Sequence, residues 1–172
     1  NMKDFARAEK HFTASLILCQ KTGERICEAR TLNNWGDLHA ARGNFEDATH
    51  VISQALHLFR EIDHSVGIKA SLANLGLLNL QNGKYSPSLD YYLQWYNYSQ
   101  ALPDPAGMAL ACTGLSQILM VLGQFGRARN YLNQALTYFT ANNDIHGQGR
   151  VFSLQGRCAY LHHTGTQVKL GW

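Results

Sequence analysis

The chain has 172 residues, of which 45% are hydrophobic and only 16% charged, with a net charge of +3 and a pI near 8.7. Its Lys and Arg are scattered, which argues against the basic stripe of a nucleic-acid binder. No apolar stretch approaches the roughly 20 residues that a membrane span needs. The charged fraction is low against a usual value of roughly 25%. Two readings fit that deficit: some surface is covered by a partner or by further chain, or neutral Tyr, Asn and Gln replace charge on an open surface.

Apolar residues at i, i+3, i+4 and i+7 predict helices throughout, not strands. In chain order, the pattern predicts a helix over 4–21, then three pairs, 26–41 with 45–61, 66–82 with 85–101, and 105–122 with 125–141, and a last helix over 146–163. The first pair shows the logic. Ala29, Leu32, Trp35 and Leu38 form one stripe, Gly43 breaks it, and Phe45, Ala48, Ile52, Ala55, Leu56 and Phe59 form the next. Asn44 is placed to cap the second helix, with Glu46 and Asp47 in its positive first turn. Ser86-Pro87 and Asp104-Pro105 read as N-caps followed by proline at the first helical position. Asp144 reads as the cap of the last helix.

The stripes repeat in one register without a gap. Phe5, Phe45, Tyr85 and Phe125 share one column, and Gly43, Gly83 and Gly123 precede the last three. Ala8, Ala48, Ser88 and Ala128 follow three residues later, and Leu16, Leu56, Tyr96 and Leu136 further on. Gly36, Gly76, Ser116 and Gly156 keep the same period, preceded by Leu32, Leu72, Cys112 and Phe152. A helical glycine costs about 1 kcal/mol relative to alanine. Its recurrence predicts a helix crossing in which the missing side chain lets two backbones approach, with the small column at 8, 48, 88 and 128 facing it.

On these residues the chain resembles the tetratricopeptide repeat family. Leu32, Trp35, Gly36, Gly43, Phe45, Ala48, Ile52 and Ala55 follow that signature, as do Leu72, Leu75, Gly76, Gly83, Tyr85 and Ser88, then Leu115, Gly123, Phe125, Ala128, Leu132 and Ala135. The usual family period is about 34 residues, and the spacing here is longer, about 40 residues. That longer unit resembles the repeats of kinesin light chain, rapsyn and the spindle-orientation adaptors. The resemblance implies an all-α, right-handed superhelical solenoid of antiparallel helix pairs over residues 1–163, with 164–172 as a non-repeat C-terminal tail. It implies a non-catalytic scaffold or adaptor that binds another protein, as an extended peptide or a helix, in a concave groove lined by the first helix of each pair. The alternative is a ligand- or peptide-sensing module of a larger regulatory protein, since the repeat is already under way at Asp4.

Groove-facing positions are those of the first-type helices that carry no packing signature. They are Arg30, Asn33, Asn34, Asp37 and Ala41, then Ala70, Ala73, Asn74, Leu77 and Gln81, then Leu110, Thr113, Gln117 and Val121, and finally Arg150, Ser153, Arg157 and Tyr160. In related families with this longer unit, an asparagine two residues before the crossing glycine often grips the backbone of a bound peptide, which places that role on Asn34 and Asn74; the other reading is that they only satisfy neighbouring polar groups. One amide offers a peptide group both a donor and an acceptor. Gly114 and Leu154 break the column later. Arg30, Arg150 and Arg157 are candidates to pair with ligand carboxylates, or are simply solvated.

No phosphate loop, nucleophile elbow or zinc-protease motif occurs. His50 and His57 share a face but lie two helical turns apart, about 10 Å, too far to share a zinc. No cofactor or metal is therefore expected. Cys19, Cys27, Cys112 and Cys158 form no C-x-x-C pair and read as small apolar fillers of a reducing, cytoplasmic protein. Trp95 stands in the small column of Ser15, Ala55 and Ala135, and is expected to pack over Gly114. The rival reading makes it part of an exposed aromatic patch with Tyr91–Tyr98. The run Val168–Trp172 is apolar enough to fill the groove itself. Oligomeric state and partner identity are not legible.

Overall fold

Each connection between helices is two or three residues long, and each turns on a residue of positive φ. Gly23, Gly43, Asp63, Gly83, Gly123 and Asn143 stand at φ between 50° and 79°, and Pro103 holds the corresponding place at 26°. Glycine reaches the left-handed region freely, and Asp and Asn reach it more readily than other residues. These positions are evenly spaced from Gly23 to Asn143, so they divide the chain into helices of nearly equal length.

A computed structural model describes residues 2–164. It contains eight helices there and no strand: α1 (Met2–Thr22), α2 (Arg25–Ala41), α3 (Phe45–Glu61), α4 (Ser65–Gln81), α5 (Tyr85–Ala101), α6 (Pro105–Val121), α7 (Phe125–Ala141) and α8 (Ile145–Thr164). The expected boundaries hold to within two residues. The expected tail falls almost wholly outside the described residues. The chain divides after Gly83 into two compact units, α1–α4 and α5–α8. In each, consecutive helices pack against one another. The first-type helices also pack on each other, α2 with α4 and α6 with α8, whereas the second-type helices α5 and α7 meet through long side chains, Tyr96 against Tyr131 and Gln134. Within each unit the first-type helices therefore lie on the inner side of the local bend.

The core is the repeat signature. Ala48, Ile52, Ala55, Leu56 and Phe59 of α3 are buried, and Ala128, Leu132, Ala135 and Phe139 of α7 repeat them. Gly36 behaves as the crossing position: a Cβ there would run into Ile52 and would sit 3.3 Å from the Ala48 carbonyl oxygen. Gly156 differs, with nothing within 4 Å of a built Cβ. Phe152, one turn earlier, is 56% exposed, although its counterparts Leu32, Leu72 and Cys112 are buried. Among the described residues, α8 packs only on α7 and α6, so this face has no second-type helix over it.

A second close approach recurs at each turn into a first-type helix. The Phe59 ring lies where a Gly67 side chain would stand, Ser99 and Asp104 crowd Gly107, and Phe139 and Asp144 crowd Gly147. One period upstream of Phe59 and Gly67 the same columns hold Cys19 and Cys27. These two are joined in a disulfide, with Cα atoms 5.7 Å apart. The expectation of four unpaired thiols is corrected for this pair: the turn brings the two columns within disulfide range. Cys112 and Cys158 are free and buried.

Two further expectations change. Lys84 is the cap position of α5, so Ser86 and Pro87 fall inside its first turn. Trp95 does not cover Gly114, because the Tyr92 ring takes that place. Trp95 instead stacks on Tyr92 with ring centroids 6.4 Å apart, half-buried, and its indole N–H is buried without a partner.

The two glycines separate packing from propensity. Gly36→Ala is expected to destabilise the protein by about 1–3 kcal/mol, since overpacking outweighs the gain in helix propensity. Gly156→Ala is expected to stabilise α8 by up to about 1 kcal/mol. Urea unfolding of both variants followed by circular dichroism measures the opposite signs.

Candidate functional site

The candidate face begins with α2 and α4. Arg30, Asn33 and Asn34 lie about one turn of α2 apart or less, and the α3–α4 turn brings Phe59, His64, Val66, Gly67 and Ala70 alongside. Together they enclose an open cavity of about 380 Å³. Further along the same two helices, Asp37, Ala40, Asn74, Leu77, Leu78 and Gln81 surround a smaller one of about 60 Å³, floored by Ile52. All but two of the unit-one positions of the candidate set thus line one of two cavities on one helix pair. The exceptions are Ala41, exposed at the end of α2, and Ala73, half-buried on α4.

Their polar groups differ in availability. The Asn33 side chain is buried and its Oδ1 accepts from Ser71 Oγ at 3.1 Å, so it ties α2 to α4. Asn74 Nδ2 donates to Asp37 Oδ1 at 3.1 Å. Desolvation between the two helices raises the Asp37 carboxyl above its ordinary pKa. Asn34 is exposed, and Arg30 is exposed on the same rim. Of the two asparagines expected to grip a peptide backbone, Asn34 is open on both amide atoms, and Asn74 has its donor engaged by Asp37.

Sequence reading misses His64. It is the N-cap of α4, its Nδ1 accepting from the Gly67 N–H at 2.9 Å, and its ring stacks on Phe59 at 5.2 Å between centroids. Asp104 and Asp144 do the same for Gly107 and Gly147, each at 2.9 Å. The signal is present in the sequence: positions 64, 104 and 144 keep the period of the repeat, as do the three glycines.

In the second unit Thr113 is 4% exposed, and its hydroxyl donates to the Leu110 carbonyl of its own helix at 2.7 Å. Leu110, Gln117 and Val121 are half-buried, while Arg150, Ser153 and Arg157 are exposed on α8. A cavity of about 250 Å³ lies elsewhere in this unit. It is walled by Tyr96, Pro105, Met108, Ala109 and Cys112 on one side and by Gln134, Thr137, Tyr138 and Ala141 on the other. Burial pushes the Cys112 thiol in its wall up to about 12. Among the described residues no group of three or more His, Cys, Asp or Glu is arranged to hold a metal ion, and no helix is long and apolar enough to cross a membrane.

A family model for the tetratricopeptide repeat matches residues 1–61 and 27–101. No curated protein matches the chain. Among solved structures, the chain is similar to the crystal structure of BtubC (BKLC) from P. vanneervenii. The TM-score is 0.77 at 20% identity, over 97% of this chain and 67% of that one. At that identity the likeness concerns the fold alone.

Burial makes a pH-dependent prediction. Burial pushes Cys112 up to about 12 from an ordinary 9.0, and Tyr92 up to about 12 from 10.0. The native state therefore holds these protons more tightly than the unfolded one. Their contribution to stability is complete below about pH 9 and is lost as pH rises from there toward about 12. Thermal melts from pH 8 to 11 are expected to show a falling Tm, and iodoacetamide at pH 8 is expected to label Cys112 only in urea, as read by mass spectrometry.

Proposed function

Because the chain belongs to the tetratricopeptide repeat family, whose repeats generally serve as protein-interaction scaffolds, we propose that it is a non-catalytic adaptor that holds an extended peptide of a protein partner. The peptide lies along the first-type helices of the first unit, over Arg30, Asn34, Ala70, Asn74, Leu77 and Gln81. The observation that carries this reading is the pairing of the cavity of about 380 Å³ with the unengaged Asn34 amide at its rim. An extended peptide leaves its backbone N–H and C=O groups unpaired, and a carboxamide answers one of each. Leu77, 45% exposed, and Ala70 supply the apolar contact between such polar anchors.

In the second unit Arg150, Ser153 and Arg157, exposed on α8, offer polar groups of the same kind. No chemistry on the peptide is proposed, and no cofactor. The cytoplasmic expectation rests on unpaired thiols, and the Cys19–Cys27 disulfide removes that ground. The Cys19–Cys27 disulfide sits at the turn into α2 and takes no part in the face.

The test is selection from a random decapeptide library, followed by titration of the selected peptides. Asn34→Ala is expected to weaken binding about five- to tenfold, the worth of one or two hydrogen bonds, without changing the helical content. Peptides that bind Asn34→Ala as tightly as the parent protein would move the site off this face. Asn74→Ala is expected to weaken binding less and to lower stability slightly, because its donor already serves Asp37.

A further inference from the structure

The cavity of about 250 Å³ in the second unit opens between the second-type helices α5 and α7, over the first half of α6. A second cavity, of about 260 Å³, adjoins it and is lined by Arg127, Asn130 and Tyr131. Tyr96 and Gln134 line both, so the two share a wall. Across that wall the chemistry changes. Met108, Ala109, Cys112 and Tyr138 make the first cavity mainly apolar. The second holds a guanidinium and a carboxamide, and no carboxylate lines either one. Arg127 has no ion-pair partner among the described residues. It donates to the Gln124 side-chain oxygen at 2.6 Å, which leaves most of its N–H groups available. The Gln134 oxygen accepts from the Tyr96 hydroxyl at 3.4 Å and from the Cys112 thiol at 3.8 Å, so its NH2 remains a donor at the shared wall.

The repeat does not by itself produce such a place. Two periods upstream, in the same register, α2 and α3 carry Arg25, Glu28, His57 and Glu61 where the second unit carries Pro105, Met108, Thr137 and Ala141. There Glu61 pairs with Arg25, and His57 Nε2 lies 3.3 Å from it, so charge bridges α2 and α3. In the second unit all four ionisable side chains are replaced by neutral ones. The floor changes in the same sense: the column filled by Leu32 and Leu72 holds the smaller Cys112. At the far end Arg127 stands in the column of Asp47, a reversal of charge. One half has lost its ionisable groups and the other has gained a cation, which suits a ligand with one apolar and one anionic end.

We propose that the two cavities form one binding site for a small amphipathic carboxylic acid. Its alkyl or aryl body lies against Met108, Cys112 and Tyr138. Its carboxylate is held by Arg127, with Asn130 and the Gln134 NH2 as neutral donors. A cavity of about 150 Å³ holds a benzene ring, so the apolar half takes a larger ring or a medium-length chain. Together the halves fall in the range of small-molecule sites, roughly 300–1,000 Å³. Gln134 and Arg127 stand two turns of α7 apart, about 10 Å, a span that the arginine side chain and a short stem close between them. With a single cation among the lining residues, the site matches a monocarboxylate better than a doubly charged phosphate. It lies wholly in the second unit and is independent of the peptide reading.

The experiment titrates the full chain with octanoate and with its neutral isostere octanamide, by calorimetry and by amide NMR shifts. Octanoate is expected to bind saturably with a Kd of about 1 mM or tighter, and to shift amides in the first half of α6 and along α7. It is expected to bind about tenfold more tightly than octanamide. Cys112→Leu introduces the side chain already present at 32 and 72, and Ala141→Glu the one present at 61; each is expected to weaken octanoate about fivefold or more. Arg127→Gln is expected to abolish the preference for acid over amide and to leave octanamide binding as it was. Positions 127 and 141 are exposed, so these two variants test the site whether or not Cys112→Leu folds, which circular dichroism checks. Equal affinity for the two probes overturns the proposal. So does binding that survives Ala141→Glu and Arg127→Gln unchanged, or shifts confined to other helices, since the probe then sits elsewhere. Absence of saturation by either probe in the millimolar range overturns it as well.

Discussion

The short turn with a left-handed residue at its centre governs this structure. It recurs at one even spacing, and the chain between two such turns has room for a single helix of about five turns. A connection that short reverses the chain at once, so within each unit neighbouring helices must run antiparallel and in contact. Once the helices are of equal length and share a register, each buried column meets the same partner column in every pair. The crossing glycine at position 36, the small residues facing it and the ring columns are consequences of that spacing. This is why two helices and two turns make up one period of the sequence.

The same spacing sets a demand at each entry into a first-type helix, where the end of the preceding helix passes close to the third residue of the next. The chain meets it in different ways. At Gly67 and Gly147 a glycine makes room for a phenylalanine ring, at Gly107 the room is taken by Ser99 and the Asp104 cap, and at Cys19–Cys27 two sulfur atoms fill it by bonding. The solutions differ in chemistry but share a geometry. The caps vary in parallel, and in that variation histidine enters at 64.

The fold is legible because periodicity is a statement about columns, and columns survive variation at single sites. What stays illegible depends on which of two neighbouring side chains wins a shared space. Trp95 and Tyr92 both suit the hollow over Gly114; Tyr92 takes it, and Trp95 stacks behind. Asn33 and Asn34 look alike in sequence, but a step of about 100° around the helix buries one against Ser71 and opens the other. Thr113 stands in the column of Asn33 and is buried as Asn33 is, with its hydroxyl on its own backbone. His64 escapes notice because histidine is not among the usual capping residues, although its register with Asp104 and Asp144 points to it. The pairing of Cys19 with Cys27 is hidden for a related reason: their columns hold Phe and Gly elsewhere, and only the close approach of those columns reveals that two cysteines there would meet.

Packing that joins only helices one or two places apart has a kinetic consequence. Every contact within a unit closes a short stretch of chain, so little loop entropy is lost before native contacts form. Any adjacent pair of helices can start the process, and growth then proceeds outward one helix at a time. The reverse follows as well: unpeeling starts where a helix has one face uncovered, and the tight turns offer a protease little extended chain until that happens. At the start of the first unit, α1 is tied to α2 by a bond that must be reduced before its last turn can leave.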